Sequence, residues 1–262
     1  MTREAAASRR EPEASHRETR AADGVAIAYT LWRRPSKQLI VLAPGFWRVR
    51  LARENLFLAT FFVRRGYDVA ALDFRGHGDS AGAYTFGTFE PNDLKAVLDE
   101  LVGNGRVYEQ FALLGLSLGG TIAAEALSRW PELPCRALVM VSSPADLRAI
   151  RPKPWKPGAV RQVRLRHALR PPRVSRHTRL SATPRGQDAV AHLAMPKLIV
   201  TAEGDWLVDP SHGRRLARAA APPVDDVHLN LPGSLHADGL VKFRPLRLLR
   251  LLDRWFLRNA PP

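Results

Sequence analysis

Residues 113–120 read LLGLSLGG, an apolar run that ends in three glycines set around one serine, Ser117. Bulkier residues would bury more surface here, so the glycines indicate a backbone turning in little room. The spacing is Gly115-x-Ser117-x-Gly119. The run FALLGL (111–116) before it reads as a buried strand, and GGTIAAEALSRW (119–130) after it reads as a helix stopped by Pro131. A sharp strand-to-helix turn lifts a serine hydroxyl clear of the sheet's carboxyl edge, beside the free N–H groups of the helix start. A plain glycine-rich turn whose serine caps the helix is the competing, less favoured reading of the local pattern. The rest of the chain has to decide between them.

Working outward, apolar runs alternate with helical spacing. Strands are expected at VAIAYTLW (25–32, as an edge), QLIVLAPG (38–45), YDVAALDFRGHG (67–78), RALVMVSSP (136–144), KLIVTAEGD (197–205) and DVHLNLPG (226–233). Helices are expected over 51–66, 92–102, 210–220 and 245–259. Continuous apolar strands separated by helices indicate an α/β fold, with a mainly parallel sheet covered on both faces. No internal repeat is visible.

A serine hydroxyl is a weak nucleophile without a base, and the base needs an orienting acid. Among eight histidines, His236 is singled out because it follows the last strand, in the loop LPGSLHADG. Loops at the carboxyl edge of such a sheet are where functional residues collect. LIVTAEGDWLVDP offers Glu203, Asp205 and Asp209 as the acid. Asp205 lies just past the strand and is preferred. Asp209 precedes Pro210 and reads as a helix cap, and Asp146 is the reserve. An oxyanion needs two preorganised N–H donors. Leu118, next to the serine, supplies one, and Phe46, just past Gly45, supplies the other.

These pieces together resemble the α/β-hydrolase superfamily, on the serine esterase, lipase and acylglycerol-lipase side. The resemblance rests on LAPGF, LDFRGHGDS, GLSLGG, VTAEGDWLVDP and GSLHADG, in the order Ser, Asp, His, and spans roughly residues 24–258. It implies the α/β-hydrolase fold and a triad of Ser117, Asp205 and His236, with Phe46 and Leu118 as oxyanion donors and Gly45, Gly115 and Gly119 as turn residues. It also implies hydrolysis of a carboxylic ester or thioester through an acyl-enzyme, without cofactor or metal. The Arg75–His77 stretch is expected to fix a loop beside the site. Pro44 stands where many relatives carry histidine. An acyltransferase, a thioesterase acting on an anionic acyl substrate, or an idle hydrolase fold serving as a basic binding module remain alternatives.

Composition sets the limits. The chain has 262 residues, 45% hydrophobic and 25% charged, as one globular domain would. One cysteine, Cys135, excludes an internal disulfide, and no apolar run reaches the length of a membrane span. Residues 1–22 lack the apolar core of a secretory signal and read as a disordered tail, giving a cytoplasmic location as the expectation. The hydrolase core is expected over 23–144 and 193–260, with a reduced, partly mobile basic lid at 145–192. A short basic helix is expected within that lid, over GAVRQVRLRHALR. Residues 148–185 hold twelve Lys or Arg and no Asp or Glu, most of the net charge of +15. That segment either is simply solvated and paired to acidic residues of the body, or attracts an anionic lipid or phosphate-bearing substrate. Its sparse aromatics disfavour nucleic acid.

Overall fold

The computed structural model describes residues 13–262 apart from 35, 104, 157–158, 160–170, 180–182 and 232–234. The strands are β1 (Glu13–Arg20), β2 (Ala26–Arg33), β3 (Leu39–Ala43), β4 (Asp68–Leu72), β5 (Phe111–Leu116), β6 (Cys135–Val141), β7 (Lys197–Ala202) and β8 (Val224–Leu229). The helices are α1 (Arg53–Arg64), α2 (Glu90–Leu101), α3 (Leu118–Arg129), α4 (Gly186–Val190), α5 (Ser211–Ala219), α6 (Asp238–Phe243) and α7 (Pro245–Asn259). One eight-stranded sheet runs in the order β1-β2-β4-β3-β5-β6-β7-β8. From β4 to β8 each neighbouring pair is parallel, while β2 runs against β4 and β1 against β2. This is the α/β-hydrolase arrangement, with β5 and its serine turn at the centre.

Strands β3, β4 and β5 are buried at every residue, as strands covered on both faces must be. Their side chains alternate between two cores. Leu39 and Val41 face a core shared with Leu94 and Leu98 of α2 and Ile122 and Leu127 of α3. Ile40 and Leu42 face the opposite core, with Leu58 and Phe62 of α1 and Leu248, Leu252 and Phe256 of α7. Burying one such side chain stabilises by about 1.5–3 kcal/mol, so truncating Ile122 to alanine loosens the helix that carries the serine turn.

Three expectations need correction. Residues 13–20 are not a tail: they pair along their whole length with β2, from Glu13↔Arg33 to Arg20↔Ala26. Their side chains are mostly exposed, so backbone hydrogen bonds rather than apolar burial hold the strand, and no hydrophobic period marks it in the sequence. β2 is consequently an interior strand rather than an edge, which accounts for the burial of Ile27, Tyr29 and Leu31. The stretch 145–192 is also not wholly an insertion. It contains α4, whose Ala189 and Val190 sit in the core with α3. The basic helix expected over 158–170 lies outside the described residues except at Ala159. Cys135 opens β6 and is only half-buried. Among the described residues no helix is long and apolar enough to cross a membrane.

Lys197, at the start of β7, is 1% exposed and donates its ammonium to the carbonyls of Leu193 (2.7 Å) and Met195 (2.6 Å). Loss of water pulls its pKa down to about 8 from the usual 10.5. Between those values the unfolded chain binds the extra proton, so this lysine makes stability rise with pH across that window. Chemical denaturation of Lys197→Met should show a flatter dependence between pH 8 and 10 than the native protein. An unchanged slope would reject the assignment.

Candidate active site

Ser117 sits between β5 and α3 with φ 54° and ψ −128°, a region that a side-chain-bearing residue rarely occupies. Such backbone costs on the order of 1–3 kcal/mol and persists only where the surroundings enforce it. Here they do. A Cβ on Gly115 would fall 2.2 Å from the Cα of Gly120, and one on Gly119 would fall 2.1 Å from the carbonyl oxygen of Ala43. The turn is closed by Ser117 N–H donating to the Val141 carbonyl (2.8 Å). Leu118 is the first residue of α3, so its N–H has no carbonyl of a preceding turn to bind.

The loop after β3 lies against the serine. A Cβ on Gly45 would come within 3.0 Å of Ser117 Cβ, so only glycine lets Phe46 approach. The next residue, Trp47, has φ 64° and donates its N–H to His77 Nε2 at 2.9 Å. His77 Nδ1 faces the Arg75 carbonyl at 3.2 Å. An imidazole that donates at Nδ1 and accepts at Nε2 is neutral, and burial pulls the His77 pKa down to about 4. Arg75 is held in turn by Asp93 and Asp23. Phe46 packs in an aromatic group with His77, Tyr84 and Phe86.

Asp205 and His236 come from the loops after β7 and β8, and both are 1% exposed. His236 Nδ1 lies 2.9 Å from Asp205 Oδ2, and His236 Nε2 lies 2.8 Å from Ser117 Oγ. Asp205 Oδ1 also accepts the N–H groups of Leu207 (2.9 Å) and Val208 (3.0 Å), which fixes the carboxylate plane. The other acids serve elsewhere. Asp209 accepts Lys153 and the Ser211 N–H at the start of α5, Asp146 binds Arg148, and Glu203 faces His228. Thus Ser117, His236 and Asp205 form one hydrogen-bonded chain, with Gly45 and Phe46 lining the cavity at the serine.

Five residues at or around the site were not apparent from the sequence. Arg48 and Asp238 line, with Leu207 and Ala237, a cavity of about 40 Å³ beside Ser117. Arg48 ion-pairs with Asp238 and with Glu54, tying the loop after β3 to the start of α6. Lys156 Nζ donates to the carbonyls of Gly204 and Asp205, both at 3.1 Å, and Lys153 Nζ binds Asp209 at 2.5 Å. Arg173 bonds through its backbone to Gly76 and Tyr84. The basic segment is therefore pinned at one end to the acid loop and at the other to the His77 loop. Its long reach across sequence, from 153–156 to 204–209, explains why local patterns gave no sign of it.

Residues 34–171, just over half of the chain, match the profile of the family described as "Serine aminopeptidase, S33". An uncharacterized hydrolase of Bacillus subtilis, YugF, is 30% identical over 121 residues, 46% of this chain and 42% of its own length. The matched stretch thus spans less than half of that relative. Among solved structures, the Pyrococcus furiosus esterase Pf2001 is similar at a TM-score of 0.72 and 22% identity, covering 94% of this chain and 93% of its own. The α/β hydrolase GrgF from Penicillium sp. sh18 is similar at 0.77 and 16%, covering 94% and 99%. These likenesses are in fold, and none singles out the acylglycerol-lipase branch. With the profile covering half the chain and the α/β-hydrolase sheet around it, the chain belongs to the serine aminopeptidase S33 family of α/β-hydrolases.

Proposed function

We propose that this protein is a serine hydrolase that cleaves a carboxylic ester or thioester through an acyl-enzyme. The observation that carries the reading is the unbroken chain from buried Asp205 through His236 Nδ1 and Nε2 to Ser117 Oγ. His236 Nε2 takes the serine proton as Oγ attacks the acyl carbon, and the carbonyl π electrons move onto its oxygen. Asp205 holds the tautomer with Nδ1–H and stabilises the imidazolium. Phe46 and Leu118 N–H groups stabilise the oxyanion. The tetrahedral centre collapses and expels the alcohol or thiol, which takes the proton from His236. Water then repeats the sequence on the acyl-enzyme and releases the acid.

A catalytically idle binding module would gain nothing from a strained Ser117 held 2.8 Å from an imidazole. For the basic segment, the engagement of Lys153 and Lys156 with the acid loop supports a bracing role.

Short p-nitrophenyl esters test the reaction, with aminoacyl p-nitroanilides as the amide comparison. Ser117→Ala and His236→Ala should lower kcat by about 10⁴-fold or more, and Asp205→Asn by about 10⁴-fold with the protein still folded. A fluorophosphonate probe should label the native chain and not the serine variant. Full esterase activity in Ser117→Ala would end the proposal.

Variants at two further residues test the supports. His77→Ala removes the acceptor for Trp47 N–H, and kcat should fall at least about tenfold through misplacement of Phe46. Lys156→Met should lower kcat with little change in KM, and Lys156→Arg should restore most of it. A purely structural lysine would instead lower melting temperature and leave kcat per folded molecule intact.

A further inference from the structure

On the far side of Arg48 from the Ser117 cavity, α1, α6 and the start of α7 line two adjoining clefts that share Phe243 and Pro245. One part, of about 420 Å³, is lined by Leu231, Phe243, Pro245, Leu246, Arg244 and Arg247. The other, of about 240 Å³, shares Phe243 and Pro245 and adds Phe57, Arg53, Glu54 and Lys242. Two of its apolar side chains project outward, Leu246 at 67% exposed and Phe57 at 44%. Arg53, Lys242, Arg244 and Arg247 are exposed around them. The carboxylate in the lining, Glu54, is buried and ion-paired with Arg48 at 3.0 Å. Residues 239–252, GLVKFRPLRLLRLL, carry one lysine and three arginines and no acid.

We propose that this face docks on an anionic lipid bilayer. The chemistry on both sides matches. Leucine and phenylalanine gain by leaving water for the acyl boundary, and the flanking cations gain by meeting lipid phosphates at the headgroup level. Arginine and lysine stems lie along apolar surface while their charges reach outward, so the same side chains serve both layers. A nucleic acid would satisfy the cations and leave Leu246 and Phe57 in water. A neutral bilayer would leave the cations without counter-charge. The position also suits the purpose. Arg48 pairs with Glu54, which lines the groove, and with Asp238, which lines the Ser117 cavity. A bilayer held here lies next to the site mouth, where an amphiphilic ester leaves the lipid phase. That purpose rests on the hydrolase reading, whereas the docking itself does not.

The test is flotation of the full chain with phosphatidylcholine vesicles, with and without phosphatidylglycerol, at physiological salt. Binding is expected only with phosphatidylglycerol. Leu246→Asp, and separately Lys242→Glu with Arg247→Glu, should each lower partition at least about tenfold. Both variants should keep native turnover of a soluble short ester, showing an intact fold. Ser117→Ala should float like the native chain, which separates failure of docking from failure of the hydrolase reading. Absence of flotation, or flotation of the groove variants like the native chain, overturns the proposal. So does loss of binding in Arg176→Glu with Arg179→Glu while the groove variants still bind. Binding of an acidic amphipathic peptide in the groove without any vesicle binding would assign the face to a protein partner instead.

Discussion

The arrangement depends on the contact between the end of β5 and the start of α3. Gly115 lies so close to the backbone of Gly120 that it tolerates no side chain. This lets the chain reverse within a few residues and leaves Ser117 in a backbone region it would not otherwise choose. The strain has a direction: the hydroxyl stands at the sheet's carboxyl edge, 2.8 Å from His236 Nε2. A turn with room for ordinary side chains would place the serine lower and farther from both neighbouring loops.

Those loops are held by buried polar bonds as well as by the packing of Phe46, Leu235 and Ala237 against the cores. Trp47 N–H finds a neutral imidazole, Asp205 accepts two backbone N–H groups besides His236, and Arg48 links opposite sides of the site. Buried polar groups are costly unless paired, so each bond fixes its loop within narrow limits. The neutrality of His77 matters for the same reason, since an imidazolium has no lone pair for Trp47.

Much of this is legible in the sequence, for reasons specific to each part. Strands β3 to β7 announce themselves because burial on both faces demands continuous apolar residues. The serine turn shows itself through its glycines. Asp205 and His236 are found by their place after the last two strands, since a parallel sheet collects such loops on one edge. β1 escapes notice because an outer strand held by its backbone carries no side-chain period. Arg48, Asp238 and Lys156 escape because their meaning is a meeting of distant segments, and a lone arginine or lysine has no local signature. The expected helix 245–259 agrees with α7 because its leucines recur at helical spacing, whereas α6, at six residues, is too short to show a period.

The two anchors of the basic segment have an implication for how this fold diversifies. Lys153 and Lys156 bind the acid loop, while Arg173 bonds through its backbone to Gly76 and Tyr84, so the described residues on this stretch are tied to loops on both sides of the site. Replacing the stretch between β6 and β7 is therefore no modular exchange: the bonds of Lys153 and Lys156 leave with it, so a slackened acid loop would be inherited in the same step.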